Sequence, residues 1–237
     1  MIETRNVFQH AGGQMSVMNY EIDASNSASD VRFPKGGAAK RAFDISVALT
    51  LLLFALPAMF FIVVIMISTD RGPVLFSHER IGHKGRRFRC LKFRSMVTNS
   101  QEALARHLET FPQARAEWDA NQKLRDDPRI TRLGAFLRAT SLDELPQLIN
   151  VIRGDMSLVG PRPIVQAEVI RYANDIASYV STRPGITGLW QVSGRSDVDY
   201  DRRVQLDAQY VREWSFLGDI IIMVRTIKVV LLRTGSR

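Results

Sequence analysis

Two neighbouring carboxylates, Asp143 and Glu144, stand at the start of an apolar helical stripe in the segment TSLDELPQLINVIRG. The stripe is marked by apolar residues at i, i+3, i+4 and i+7, namely Leu145, Leu148, Ile149 and Ile152. Because proline is tolerated in the first turn of a helix, Pro146 predicts a helix that begins near Asp143. Both acids then lie at the positive end of the helix dipole, a setting that stabilises carboxylates and also binds phosphate.

The same two acids also have a purely structural explanation. Residues 141–144 match the S-x-x-E capping box, and Asp143 by itself is a favourable N-cap residue. Capping and catalysis therefore both remain open from this segment alone.

Arginines near the acids are candidates for binding an anion. Arg162 lies between two prolines, which restrict the backbone and favour a bidentate grip on phosphate or carboxylate. Arg138 precedes Asp143 by five residues, and the turn segment RPGITGLWQVSGR carries Arg183 and Arg195 at its ends. A Pro-Gly turn is common in any protein, but several arginines occurring together near the acids favour an anion-binding site.

A basic and aromatic segment, RRFRCLKFRSM at residues 86–96, predicts a short strand or extended loop that faces an anion. Its Lys92 and Arg94 are further candidate substrate-binding residues, and a solvated run of charges is the alternative. Residues 99–124 predict one or two polar amphipathic helices, separated near Phe111 and Pro112, with a packing role.

Length and charge limit the class of protein. A chain of 237 residues holds one core plus an appendage, and the net charge of +8 predicts an anionic partner such as nucleic acid, phospholipid or a phosphorylated substrate. Cys90 is the single cysteine, so neither an internal disulfide nor a thiolate zinc site is available, which fits a reducing, cytoplasmic setting. Residues 1–35 are polar and predict a mostly disordered tail.

An uncharged apolar run of 25 residues, at 45–69, is long enough for a membrane helix. Pro57 lies at its midpoint and predicts a kink, and lysines and arginines flank the run on both sides. Spanning segments usually keep basic residues on one side only. A helix bent at Pro57 has arms of about 12 residues that reach roughly 18 Å each, enough for one leaflet. The pattern favours a re-entrant hairpin, with a single spanning helix as the alternative.

The C-terminal segment, residues 214–237, is apolar but interrupted by Arg225 and Lys228 on one helical face. This pattern predicts a helix lying in the headgroup region of a membrane, with an ordinary core helix as the alternative.

Several long motifs in order resemble the bacterial sugar transferase family, the small monotopic polyprenyl-phosphate phosphoglycosyl transferases that initiate exopolysaccharide or glycan assembly. The motifs are KRAFDISVAL, LPAMFF, GPVLFSHERIG, FRCLKFRSM, DPRITRLGAFLRATSLDELPQLINVIRGDMSLVGPRP and RPGITGLWQVSGR, and the resemblance covers roughly residues 38–233. Members commonly break the re-entrant helix at Ser-Pro, whereas this chain has Leu56 before Pro57. The departure removes a hydroxyl that could satisfy a freed backbone group.

The resemblance implies transfer of a sugar phosphate from a UDP-sugar to undecaprenyl phosphate, with release of UMP. It implies Asp143 as the nucleophile and Glu144 as a ligand for Mg²⁺. Neighbouring helical residues point about 100° apart, so the acids do not face each other as a proton-sharing pair, and one can attack while the other holds the metal. The implied substrate-binding residues are Lys92, Arg94, Arg138, Arg162, Arg183 and Arg195.

Pattern and resemblance together predict an α+β, mainly helical fold. Its parts are a re-entrant membrane helix at 36–70 and a small catalytic domain at 71–237 with amphipathic interfacial helices. The expected location is the cytoplasmic face of the bacterial inner membrane, in contact with its lipids, and a homo-oligomer is compatible with the sequence. UDP-galactose or UDP-glucose are the expected donors.

Two other functions compete with this one. A membrane-tethered nucleic-acid-binding protein would explain the charge, but no nucleic-acid-reading motif is recognisable, and basic residues beside the apolar run suit anionic lipid, so no nucleic acid is expected. A glycosyl transferase that moves the bare sugar and releases UDP is the rival within enzymes.

Overall fold

The computed structural model describes residues 34–69, 72–121, 124–194 and 199–231. The tail predicted over residues 1–35 lies, up to residue 33, outside this part. The described helices are α1 (Gly37–Thr69), α2 (Ser100–Thr110), α3 (Pro112–Asn121), α4 (Arg132–Ala139), α5 (Gln147–Arg153), α6 (Val169–Tyr172), α7 (Ile176–Val180), α8 (Tyr200–Arg212) and α9 (Phe216–Leu231). The strands are β1 (Leu75–Ile81), β2 (Arg87–Phe93), β3 (Ser157–Val159) and β4 (Gly185–Thr187). The predicted mainly helical fold and the break between two helices at Phe111 are confirmed.

Helix α1 is continuous and contains Pro57. Among the described residues, α1 is the one helix that is both long enough and apolar enough to cross a membrane. One face packs on the rest of the protein through Ala48, Ile62 and Met66, while large apolar side chains on the other faces are exposed, among them Leu53, Phe54, Leu56, Phe60 and Phe61. A helix in water would not expose so wide an apolar surface, so this surface is the one suited to lipid.

Both ends of α1 join the interior of the domain. Ala48 belongs to a buried cluster with Leu148 and Val151 of α5. Ile62 and Met66 belong to a second cluster with Phe93 and Leu137. Leu145, next to the acid pair, packs against both clusters.

A buried charge network fixes the start of α1. The Lys40 ammonium donates to the Asp219 carboxylate of α9 at 2.6 Å and lies 3.7 Å from Asp44. The Ser157 hydroxyl of β3 donates to Asp44 at 2.7 Å, and the Tyr210 hydroxyl donates to Asp219 at 2.8 Å. Since each buried charge has partners on other elements, α1, β3, α8 and α9 are locked together.

Strands β1 and β2 form an antiparallel hairpin, which confirms the strand predicted within residues 86–96. Phe76 stands opposite Lys92, and His78 stands opposite Cys90. Because directly opposed residues share a face and side chains alternate along a strand, Arg80 lies on the same face as Cys90 and Lys92.

Strands β3 and β4 pair in parallel, with Ser157 opposite Gly185. A Cβ at Gly185 would lie 2.2 Å from the backbone nitrogen of Gly160, so only glycine permits this approach. The Gly185 amide also donates to the carbonyl of Pro161 at 2.8 Å. Strand β4 therefore holds the backbone that leads into Arg162.

Helix α9 has the predicted amphipathic character. Its exposed apolar side chains are Leu217, Ile221, Val224 and Ile227. Ile222 and Asp219 are buried on the opposite face, so one face of α9 belongs to the core, while its location in the headgroup region stays a prediction. Phe216 contacts Phe43 of α1 edge to face, with ring centroids 5.0 Å apart. The exposed apolar faces of α1 and α9 are thus neighbours.

Candidate active site

The acid pair lies in a 3₁₀ turn, Leu142–Glu144, rather than in the first turn of an α-helix. Helix α5 begins at Gln147, with Pro146 at its N-cap, so the helix predicted to start near Asp143 starts later. Ser141 adopts a left-handed backbone with φ of 58° and makes no side-chain cap. The capping-box interpretation is therefore wrong, and the acids need another explanation.

Asp143 is a buried carboxylate, 8% exposed. Burial raises its pKa to about 6, and the nearby charge of Glu144 adds to the rise, while Lys92 and Arg138 oppose it. A carboxylate held out of water but stabilised by two nearby cations is mostly ionised at neutral pH yet weakly solvated. Such a group is suited to nucleophilic attack on an electrophile that the cations also bind.

Glu144 pairs with Lys92 of β2, whose ammonium lies 2.6 Å from its carboxylate. Burial opposes the charge on Lys92, but the Glu144 charge and hydrogen bond, together with Asp143, raise the pKa of Lys92. The lysine is therefore a permanent cation beside both acids. This contact explains why Glu144 does not cap the turn.

Arg138 approaches the acids from α4. Its Nε donates to the Ser95 hydroxyl at 2.8 Å. Burial lowers the pKa of Arg138, and the Asp143 charge partly offsets this. Helix α4 can come this close because Gly134 has no side chain: a Cβ there would lie 2.0 Å from the Ser95 carbonyl oxygen. Lys92 of β2 and Arg138 of α4 therefore both act on the Asp143 carboxylate.

Arg162 lies in the loop after β3, in a second basic group. Its guanidinium is 3.5 Å from the Glu168 carboxylate and 6.0 Å from the centre of the Trp190 ring. Arg80 lies 3.7 Å from the same carboxylate. Two arginines therefore share one acid, which leaves a net positive charge in this group.

Cys90 connects the two groups. It is buried on the strand face that carries Lys92, and burial raises the pKa of its thiol while Lys92 and Arg80 oppose the rise. Glu144 and Arg162 act on the same thiol. One face of the β hairpin thus has the acid pair at one end and Arg162 at the other.

Three other predicted residues have different surroundings. The Arg183 Nε donates at 2.8 Å to the carbonyl of Gly154, the C-cap residue of α5, so Arg183 stabilises a helix end. The Arg94 guanidinium lies against Gly72, where a Cβ would be 1.9 Å from its Nη1. Arg195 lies outside the described residues. Their roles in substrate binding stay predictions.

Sequence reasoning missed Arg80, Ser95 and Glu168. Arg80 could have been found from the hairpin register, because it shares a face with Lys92. Ser95 carries no local signal, since its partner Arg138 is 43 residues away, whereas Glu168 lies only six residues from Arg162.

The residues present fit a magnesium ion bound largely by substrate. Among the described residues, no three histidine, cysteine, aspartate or glutamate side chains form a metal-binding group. Magnesium is commonly held by one or two carboxylates plus substrate phosphates, and Glu144, adjacent to Asp143, can supply such a carboxylate. The donor set therefore suits Mg²⁺ brought with a diphosphate.

Fold and site together define a small domain packed on one long apolar helix, with a buried carboxylate near several cations. The chain belongs to the bacterial sugar transferase family, which matches residues 36–233.

Named relatives in three bacteria are similar to this chain. It is 57% identical over 197 residues to a "UDP-galactose-lipid carrier transferase" of Erwinia amylovora and 54% identical over 197 residues to an "Undecaprenyl-phosphate galactose phosphotransferase" of Salmonella typhimurium. Each match covers 83% of this chain but 41% of the relative, so the chain spans less than half the length of these two proteins. It is 49% identical to "Exopolysaccharide production protein ExoY" of Rhizobium meliloti, over 86% of this chain and 90% of ExoY.

Proposed function

We propose that the protein transfers a sugar 1-phosphate from a UDP-sugar to undecaprenyl phosphate and releases UMP, at the cytoplasmic face of the bacterial inner membrane. The observation that supports this most directly is Asp143, a buried carboxylate that forms no helix cap and that Lys92 and Arg138 both stabilise electrostatically. The names of the relatives support the lipid acceptor and a UDP-galactose donor. The product would be the first lipid-linked intermediate of an exopolysaccharide.

In the first step an Asp143 oxygen attacks the phosphorus that bears the sugar. The bond between that phosphorus and the oxygen of UMP breaks, and UMP leaves with the electron pair. An aspartyl phosphosugar remains on the protein. The raised pKa of Asp143, about 6, still leaves the carboxylate ionised at neutral pH, as a nucleophile requires.

In the second step a phosphate oxygen of undecaprenyl phosphate attacks the same phosphorus. The bond to Asp143 breaks, and the carboxylate is regenerated as the sugar diphosphate of the lipid forms. No proton needs to be stored between the steps, because each nucleophile reacts as an anion. Ordered release of UMP before the lipid reacts gives ping-pong kinetics.

The cations around Asp143 have complementary tasks in both steps. Lys92 and Arg138, which act on Asp143, would offset the negative charge that accumulates on the transferred phosphoryl group, and such fixed charges are the main contribution of protein groups to phosphoryl transfer. Arg162 offers a planar fork for a phosphate further along the hairpin face. Mg²⁺, when bound through Glu144 and the diphosphate, would neutralise charge on the leaving nucleotide.

We also propose that α1 enters and leaves the membrane on the same side. Pro57 is exposed and stands nine residues from both Ala48 and Met66, which at 100° per residue places it opposite both buried side chains. The proline ring clashes with the carbonyl of Leu53, so a bend opens on the Pro57 face and closes toward the domain. Both arms then stay packed on the domain while the exposed apolar residues enter lipid.

The test is the intact mass of the protein mixed with UDP-galactose or UDP-glucose and no lipid acceptor. We expect an added sugar phosphate on the peptide that contains Asp143, and free UMP. Asp143→Asn should bind to membranes, form no adduct and turn over nothing, whereas Asp201→Asn, a change in an exposed acid of α8, should behave as wild type. Near-normal turnover by Asp143→Asn would refute the mechanism.

The leaving nucleotide separates this proposal from a glycosyl transferase, which would release UDP. Salt-sensitive binding to a DNA or RNA duplex, without turnover of any nucleotide sugar, would favour a nucleic-acid-binding protein instead.

A further inference from the structure

Asp207 of α8 is a carboxylate in the protein interior, 2% exposed, behind the loop that carries Arg162. The Tyr172 hydroxyl of α6 donates to its Oδ2 at 2.7 Å. Its Oδ1 is buried without a hydrogen-bond partner among the described residues. A buried carboxylate with only part of its hydrogen-bonding capacity satisfied lowers the stability of the fold, so its presence suggests a functional role.

Charged and titratable groups from several elements act on Asp207. They are Arg162 of the loop after β3, Arg203 of α8, Tyr172 of α6 and Tyr179 of α7. The backbone N–H of Arg162 also favours the charged carboxylate, although it completes no hydrogen bond to Oδ1. Burial nevertheless dominates and raises the pKa of Asp207 to about 7, against the hydrogen bond from Tyr172 and the field of the arginines.

The two arginines near Asp207 are themselves neighbours. The Arg203 guanidinium lies 4.8 Å from the centre of the Trp190 ring, and that of Arg162 lies 6.0 Å from the same centre. Arg203 lies one helical turn before Asp207 in α8, and both arginines act on the Asp207 carboxylate, so a charge there affects the two guanidinium groups together. A phosphate bound by these groups would in turn disfavour that charge.

We propose that Asp207 is a positioning residue that holds the Arg162 loop from behind and sets, as a buried counter-charge, the affinity of Arg162 and Arg203 for phosphate groups of the donor. This inference rests on the proposed function for the identity of the donor but not for the binding of phosphate. When Asp207 is ionised, it offsets part of the positive charge and weakens phosphate binding. When it is protonated, the arginines bind phosphate more tightly.

The experiment is calorimetric titration of the purified full chain in nanodiscs with UDP and, separately, with inorganic pyrophosphate, at pH 6 and pH 8. Wild type is compared with Asp207→Asn, which resembles the protonated acid. The ligand and Asp143 also ionise between these pH values, but they do so in both proteins. Their effect on Kd is therefore removed when the two proteins are compared. We expect the pH 8 to pH 6 ratio of Kd for wild type to exceed that of Asp207→Asn by about tenfold.

A second variant separates charge from structure. Tyr172→Phe removes the hydrogen bond that favours the ionised carboxylate, so the pH at which phosphate binding weakens should move upward and the dependence should persist. If Asp207 served only to hold the fold, both variants would weaken binding equally at all pH values. If Asp207→Asn fails to fold, the test is the effect of Tyr172→Phe on the pH at which phosphate binding weakens. An upward shift of that pH supports the proposal, and an unchanged pH overturns it.

The two ligands distinguish failure of this inference from failure of the proposed function. Suppose that pyrophosphate binding shows the expected difference in pH dependence between wild type and Asp207→Asn, but UDP binds no more tightly than pyrophosphate. This result would support the role of Asp207 and contradict a nucleotide donor. The same pH dependence of pyrophosphate binding in wild type and Asp207→Asn would overturn the role of Asp207, whatever UDP does.

Discussion

The ammonium of Lys92 lies 2.6 Å from the carboxylate of Glu144, and this pair joins strand β2 to the turn that carries Asp143. The two residues are 52 positions apart, so the contact forms only in the folded chain. It gives the turn a tertiary partner in place of a local cap. The position of the proposed nucleophile consequently depends on the hairpin.

A double-mutant cycle on Lys92→Gln and Glu144→Gln should show a favourable coupling of about 1 kcal/mol, because the pair is close but half-exposed and screened by water. Unfolding in detergent measures it. The matched control is the pair Arg87 and Glu79 on the same hairpin, 3.1 Å apart but 59% exposed on both sides, which should show a smaller coupling. Equal coupling free energies would mean that the Lys92–Glu144 pair stabilises the turn no more than an exposed surface pair does.

Asp143→Asn should make the protein more stable at pH 7.5 while abolishing turnover. The folded-state pKa of Asp143, about 6, lies above its ordinary 3.8, so the folded protein holds the proton more tightly and loses stability as pH rises between these values. Asparagine escapes this loss, a gain of up to about 3 kcal/mol. Melting temperatures between pH 3.5 and 7.5 test this, and the gain should vanish near pH 4.

The control for this stability change is Asp201→Asn, in an exposed side chain, which should leave the melting temperature unchanged across the same range. Destabilisation by Asp143→Asn at pH 7.5 would show that the carboxylate supports the fold, contrary to the proposed role.

Arg162→Lys should lower kcat/KM for the donor by at least about tenfold with little change in melting temperature. Lysine keeps the charge but loses the planar fork that binds two phosphate oxygens. Arg212→Lys is the matched control, since Arg212 is an exposed arginine with one ion pair, at 3.4 Å to Asp175. Full activity of Arg162→Lys would leave the PRP segment as a rigid turn only.

The side of the membrane can be tested with single cysteines at Lys35→Cys and Arg86→Cys. Both positions are exposed, and the native Cys90 is only 3% exposed, so a membrane-impermeant maleimide should give little background. We expect both cysteines to be labelled from the cytoplasmic side alone. Labelling of Lys35→Cys from the periplasm would exclude the re-entrant arrangement.

Pro57→Ala should shift part of the population toward a spanning helix, because it restores the backbone hydrogen bond that the proline removes. Ala58→Ser, a neighbouring change that leaves the backbone intact, should keep the wild-type labelling.

Local patterns were sufficient to predict several elements of this fold. The apolar stripe from Leu145 to Ile152 indicated the helix that became α5, although the buried side chains of that helix are Gln147, Leu148, Asn150 and Val151, and Pro112 marked the start of α3. Turn residues and hydrophobic periodicity act over a few positions, so a sequence displays them directly. The two acids and Arg162 could likewise be selected from residue type and neighbours.

Contacts between distant residues could not be predicted in this way. Ser141 and Glu144 satisfy the spacing of a capping box, but Lys92 competes for the Glu144 carboxylate and wins in the folded protein. Arg183 has the surroundings of a binding residue in sequence, yet its guanidinium binds the end of α5. Asp207 lies within an ordinary amphipathic helix, and burial distinguishes it from Asp201, an exposed acid of the same helix.

The interior network of Lys40, Asp44 and Asp219 has a consequence for biosynthesis. Helix α1 contributes Ala48, Ile62 and Met66 to the clusters that also contain residues of the soluble part, so a fragment without it would have exposed apolar clusters and Asp219 without its cation. Residues 37–69 leave the ribosome before that part does. With α1 in the bilayer as proposed above, the helix would enter first and serve as the surface on which the rest of the chain folds, so each molecule would be completed only at a membrane.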